Sequence, residues 1–120
     1  MLEVLLMRHA KSEHPRGVPD RARPLADRGR RAAALVGLAI TEYDAIPSRI
    51  LTSPAIRART TADLARSAGG WAAPVEVVDD LYDGGIRGVL AAVAGMTGRV
   101  LAVGHEPTWS MTVETLIGGG

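Results

Sequence analysis

Apolar and polar positions fall into blocks along the 120 residues of the chain. Residues 2–7 form an apolar run interrupted only by Glu3, the pattern of a short strand buried on both faces. A polar segment from Arg8 to Pro24 follows and carries three prolines. Connections of that length in compact domains tend to be functional. Between Ala26 and Tyr43, Ala33, Leu35, Val36, Leu38, Ala39 and Ile40 recur at helical spacing, with Arg28, Arg30, Arg31 and Glu42 mostly opposite. This predicts an amphipathic helix with a weak spot at Gly29. "RILTS" at 49–53 reads as a second strand and runs into "SPAIRARTTADLARSAGG". There Ser53 is expected as N-cap, Pro54 as the first helical residue and Gly69 as the stop. "VEVVD" at 75–79 reads as a third strand, leading through "DLYDGG" to a short apolar helix over 86–96. "RVLAVG" at 99–104 supplies a fourth strand, and a last helix is expected near 108–117.

Strands separated by helical segments imply βαβ units, hence an α/β fold of three α/β/α layers around a mostly parallel central sheet. The first strand is expected at the centre of that sheet. The length suits one domain spanning residues 1–120. The final helix stops at "LIGGG" with no strand after it, which raises the expectation of a domain truncated at its C-terminus.

Composition refines this picture in a few places. Hydrophobic residues make up 47% and charged residues 22%, as in a globular domain. Aromatic residues are only 3%, with no Phe, so Ala, Val, Leu and Ile must fill the core. The net charge of +1 gives no bulk attraction to nucleic acid or to an anionic membrane, and neither partner is expected. Cysteine is absent, which excludes disulfides, thiol nucleophiles and Cys-ligated metals. No apolar run approaches the ~18 residues of a membrane span. The run at 4–7 is too short for a signal peptide and follows acidic Glu3, so a cytoplasmic location is expected. Lys11 is the only lysine, and every other basic side chain of the 14 is arginine, whose rigid fork suits phosphate and carboxylate.

Ligands of open α/β sheets sit beyond the carboxyl ends of the strands. Four features converge there: Arg8-His9 after the first strand, Arg57 in the helix turn after the second, Asp80 and Asp83 after the third, and His105-Glu106 after the fourth. Singly, each has a plain reading. A histidine after a strand is commonly a satisfied polar residue, Asp79, Asp80 and Asp83 read as solvated turn residues, and His14 beside Pro15 reads as surface. Arg57 fits less easily, because a cation in the first turn of a helix opposes the macrodipole by a few tenths of a kcal/mol, roughly. An anionic ligand would remove that conflict. Two histidines and two arginines together could bind and attack a phosphoryl group, whose transfer depends on positioning and charge compensation.

In order, "LLMRHAKS", "RPLADRG", "SPAIRARTTA" and "VGHEPT" resemble the histidine phosphatase superfamily, also called phosphoglycerate mutase-like, and above all its small SixA-type phosphohistidine phosphatases. The resemblance implies that His9 is the nucleophile that becomes phosphorylated, Arg8 its phosphate-binding neighbour, Arg57 a second clamp, and His105 a contact to the phosphoryl oxygens. Arg23 matches an arginine lining the SixA-type pocket. No metal and no cofactor is implied. The family's RHG is RHA here, which Ala10 satisfies unless its backbone needs a positive φ. The general acid has two candidates, Asp83 after "LY" and Glu106 after the second histidine. Without a strong acid, labile phosphoramidates are the better substrates, which favours a phosphorylated protein, or a small phosphorylated molecule, as partner. The alternatives are a phosphomutase or sugar-phosphate phosphatase of the same superfamily, or a non-catalytic phosphate-binding pseudoenzyme.

Overall fold

The computed structural model describes residues 1–106 and 108. The helix expected near 108–117 falls outside the described residues except for Thr108. The element order is β1 (Leu2–Arg8), α1 (Asp27–Glu42), β2 (Arg49–Thr52), α2 (Ile56–Gly69), β3 (Val75–Val77), α3 (Asp80–Asp83), α4 (Gly85–Val93) and β4 (Gly98–Gly104), with a 3₁₀ turn at Asp20–Ala22. The four strands form one parallel sheet in the order β1-β4-β2-β3.

Side chains alternate across a strand, so each buried strand feeds two cores. Leu5, Met7, Ile50, Leu101 and Val103 face Ala58, Ala62 and Ala65 of α2 and Ile40 of α1. Val4, Leu6, Leu51, Val100 and Ala102 face Leu81 of α3 and Val89 and Val93 of α4. The three-layer α/β/α arrangement is thus present, with α1 and α2 on one face and α3 and α4 on the other. Because aromatic side chains are few, small residues set the packing. Ala58, Ala62 and Ala65 of α2 are fully buried and let the helix lie close to the sheet.

Several expectations need correction. Among the described residues β1 stands at an edge of the sheet rather than its centre, because β4 inserts between β1 and β2. The buried residues of α1 are Gly29, Ala33 and Gly37, whereas Leu35 and Leu38 are 65% and 50% exposed. Small residues one turn apart, not the large ones, make the close approach. Helix α2 starts later than expected: its N-cap is Ala55, and Pro54 precedes the helix. Ser53 Oγ accepts from the Ala55 N–H at 3.2 Å, but Ala55 precedes the helix, so this bond caps no helical N–H, and the same hydroxyl lies 2.7 Å from His105 Nε2. Gly69 is the last helical residue, and the chain turns at Gly70, whose φ of 73° suits glycine. The apolar helix over 86–96 is observed as α4, ending at Val93.

The long segment after β1 is tied down. Ser12 bridges Leu25 in antiparallel fashion, the Glu13 N–H donates to the Pro24 carbonyl at 2.9 Å, and the Ala26 N–H to the Lys11 carbonyl at 2.9 Å. Gly29, the expected weak spot of α1, is what permits this. A Cβ there would lie 2.1 Å from the Lys11 carbonyl oxygen.

Candidate active site

Register brings the first and last site segments together. Arg8 pairs with Gly104 across β1 and β4, and the His9 N–H donates to the Gly104 carbonyl at 3.0 Å. The residues that follow, His9 and His105, therefore leave the sheet side by side, with ring centroids 5.1 Å apart. On the other side of β4, the Ser53 N–H donates to the Val103 carbonyl at 3.0 Å, which carries the chain into α2 and sets Arg57 across from both histidines.

Arg57 is 6% exposed and its guanidinium is shared among three residues. Nε donates to His9 Nε2 at 3.3 Å, Nη2 faces His105 Nδ1 at 3.4 Å, Nη1 donates to the Asp20 carbonyl at 2.6 Å, and Nη2 donates to Asp20 Oδ2 at 3.0 Å. The roles of the rings follow from their partners. A carbonyl only accepts, so His9 Nδ1, 2.8 Å from the Ala10 oxygen, carries the proton. A guanidinium only donates, so His9 Nε2 presents a lone pair. By the same logic His105 Nδ1 accepts from Arg57, and Nε2–H donates to Ser53 Oγ at 2.7 Å. Burial, opposed by the Ala10 carbonyl and assisted by Arg57, Arg8 and Arg23, lowers the His9 pKa from 6.5. Burial, then Arg57 and His9, lowers that of His105 to about 4. Both rings are neutral near pH 7.

The backbone around His9 is fixed as well. The Ala10 N–H donates to Thr61 Oγ1 at 3.0 Å, and Thr61, fully buried in α2, donates to the Arg57 carbonyl at 2.7 Å. Ala10 does not have a positive φ, which explains why alanine serves where the family pattern has glycine.

Of the residues expected at the site, His9, Arg57 and His105 are in mutual contact. Arg8 and Arg23 line a cavity of about 470 Å3 together with His9, Ala10, Lys11, Ser12 and His14. His14, read from sequence as a surface residue, is exposed but opens onto that cavity. Arg23 Nη2 donates to Ser12 Oγ at 3.1 Å. Asp83 is exposed at the end of α3 and, among the described residues, makes no hydrogen bond or ion pair to either histidine. Glu106 is exposed next to His105. Two residues were not anticipated. Asp20, in the 3₁₀ turn of the long loop, places its carboxylate on Arg57, and Tyr82 of α3 donates to Asp20 Oδ2 at 2.5 Å. Arg21 lies 4.4 Å over the Tyr82 ring, and that ring meets His105 edge-on at 5.5 Å. The Tyr82 hydrogen bond and Arg57 hold the Asp20 carboxyl below its usual pKa. An aspartate in a polar loop and a tyrosine in "DLYDGG" carry no local signal of this contact.

The sequence profile of the histidine phosphatase superfamily (branch 1) matches residues 4–88. The chain belongs to that superfamily. A relative, an uncharacterised protein of Mycobacterium leprae, is 39% identical over 121 residues, which is 95% of this chain and 73% of the relative. Among solved structures, this histidine phosphatase domain is similar to that reported for a candidate phosphohistidine phosphatase SixA from Agrobacterium tumefaciens. The TM-score is 0.88 at 30% identity, covering 96% of this chain and 76% of that one. At the level of fold it also matches phosphoglycerate mutase from Plasmodium falciparum, with a TM-score of 0.67 at 17% identity over 94% of this chain and 67% of that one. The fold is phosphoglycerate mutase-like, and the superfamily match together with the likeness to a phosphohistidine phosphatase structure supports a phosphatase.

Proposed function

We propose that this phosphatase takes a phosphoryl group onto His9 Nε2 and passes it to water, with phosphohistidine on a protein as its preferred donor over ordinary phosphoesters. The observation that carries the reading is the pairing of His9. Its Nδ1–H is bound to the Ala10 carbonyl, and its Nε2 lone pair rests on the one guanidinium that also reaches His105. A phosphoryl group entering between His9 and Arg57 replaces that hydrogen bond with a bond to phosphorus.

In the first step Nε2 attacks phosphorus, the P–N bond of the donor breaks, and the departing imidazole nitrogen takes a proton from solvent. In the second, a water oxygen attacks phosphorus and the P–Nε2 bond breaks. Inorganic phosphate leaves, the water's proton passes to bulk, and His9 is restored. Charge on the equatorial oxygens is met by Arg57 and by Arg8 on the cavity side. The Ser53 hydroxyl can donate as well as accept, so His105 can move its proton to Nδ1 and donate to a phosphoryl oxygen. The preference for phosphohistidine rests on the acids. The carboxylate nearest the clamp, Asp20, is held ionised, which makes it a poor proton donor for an alkoxide leaving group. A protonated imidazole leaves readily without that help.

Rapid-quench labelling with a radiolabelled phosphoryl donor tests the reading. The expected result is an acid-labile, base-stable phosphoenzyme that is absent in His9→Ala, with kcat in that variant lower by on the order of 10⁴-fold or more. Absence of the adduct in the parent, or normal turnover by His9→Ala, would overturn the nucleophile assignment. Comparable rates on phosphohistidine peptides and on alkyl phosphates would overturn the substrate preference.

A further inference from the structure

We propose that the arginine-rich start of α1, together with Lys11, is a docking surface for an acidic face of the protein that carries the phosphohistidine. The proposal rests on the function proposed above and adds to it the kind of surface that presents the phosphoryl group.

Charge along the chain is the first observation. Residues 8–31 hold eight basic and three acidic side chains, a net of +5, so with +1 for the whole chain the remaining residues carry −4. One of those three acids, Asp20, is already engaged by Arg57 and Arg23. By contrast Lys11, Arg28, Arg30 and Arg31 are exposed and belong to no ion pair among the described residues. Their cationic heads are open to a partner.

Placement is the second observation. A helix that follows a strand of a parallel sheet begins at the sheet's carboxyl end, so α1 starts on the rim where His9 leaves β1. The Lys11 carbonyl accepts from the Ala26 N–H and packs on Gly29, which fixes Lys11 and the start of α1 on one frame. The opposite sign lies across the rim. Asp79, Asp80 and Asp83 follow β3, at the other edge of the described sheet, and are exposed. His105 and Arg57, which follow β4 and β2, stand between the two. An acidic face is thus drawn to the β1 side and repelled from the β3 side, which sets its orientation over the site.

The third observation is the charge order within α1. Arg28, Arg30 and Arg31 fall in its first five residues, its last turn has no basic residue, and Glu42 ends it. The macrodipole favours the reverse order. These arginines therefore do not serve the helix, and an acidic partner relieves the conflict. A protein face fits better than nucleic acid. A polynucleotide carries charge along its whole length and meets the net −4 of the remaining residues, whereas a compact acidic patch meets only the basic end.

The test measures kcat/KM on two phosphohistidine peptides of equal length, one with glutamates flanking the phosphohistidine and one with glutamines. The parent is expected to favour the glutamate peptide by about tenfold at roughly 0.02 M ionic strength, and by less than about twofold at roughly 0.5 M, where exposed charges are screened. The low-salt ratio should fall to about twofold in an Arg28→Gln, Arg30→Gln, Arg31→Gln triple variant, yet persist in Arg49→Gln, which removes a charge at the opposite end of the sheet. A ratio within one variant is independent of how much of that variant is folded. Equal cleavage of both peptides by the parent at low salt, or an unchanged ratio in the triple variant, would overturn the docking surface and leave the phosphatase reading intact. Cleavage of neither peptide would overturn that reading, and fluorescence anisotropy with labelled, unphosphorylated peptides then decides docking by the same ratio. Tighter binding of a single-stranded oligonucleotide of equal charge than of the glutamate peptide would overturn the choice of a protein partner.

Discussion

His9 is held at each end by a group that can play only one part: a carbonyl that accepts and a guanidinium that donates. That pair of contacts fixes both the tautomer and the aim of the ring, a task that falls to a backbone carbonyl here instead of a carboxylate. Thr61 holds the peptide that supplies the carbonyl. Replacing it by the near-isosteric valine leaves the Ala10 N–H unmet in a partly buried site, at a cost of about 1–3 kcal/mol. Urea denaturation of Thr61→Val should show a loss of that size. Its kcat should fall roughly tenfold with little change in KM, because His9 is misaimed rather than removed. A variant that matches the parent in kcat would show that the Ala10 peptide needs no such anchor. At this scale the sequence revealed His9, Arg57 and His105, because each directly follows a strand or opens a helix. It did not reveal Thr61, which reads as one more polar residue in a helix.

At the level of elements, the segment from Arg8 to Pro24 turns out to be a built part of the site. Gly29 of α1 lets the Lys11 backbone approach, the Ser12–Leu25 bridge closes the segment, and the 3₁₀ turn delivers Asp20 to Arg57. Asp20 thus occupies a guanidinium that a phosphoryl group must share, and two anions on one cation repel. Asp20→Asn should therefore bind orthophosphate more tightly, by roughly three- to tenfold, measured as product inhibition or by calorimetry. Weaker binding would show instead that the clasp with Tyr82 shapes the site. The length and prolines of this segment marked it as functional from sequence. Its attachment points did not show, since a bridge between Ser12 and Leu25 and a clasp between Asp20 and Tyr82 join residues with no shared period. The expected cap at Ser53 did not form because the helix begins past Pro54 with Ala55 as its N-cap, which leaves the Ser53 hydroxyl to His105.

For the whole molecule, the two neutral histidines couple the site to stability. His105 has a pKa of about 4 when folded against 6.5 for a free imidazole, so the unfolded chain binds more protons between those values. Its contribution is complete above pH 6.5 and is lost as pH falls towards about 4, and the lowered pKa of His9 acts in the same direction. The depressed Asp20 carboxyl extends the decline below its ordinary value of 3.8. The urea midpoint should drop across pH 6.5 to 4, and His105→Gln should flatten that slope. An equal slope in parent and variant would place the pH dependence elsewhere.

The sequence by itself determined the order of strands and helices, their parallel sense, the three layers, and the gathering of Arg8, His9, Arg57 and His105 at the carboxyl ends of the strands. Those features are written in local periodicity and in which residues leave each strand. Tertiary structure alone decided that β4 lies between β1 and β2, and hence that Arg8 meets Gly104 and the two imidazoles stand together. It also decided the tautomers and the Asp20–Tyr82 clasp. Strand order and contacts between distant loops depend on how complete layers pack, and no window of neighbouring residues encodes that choice.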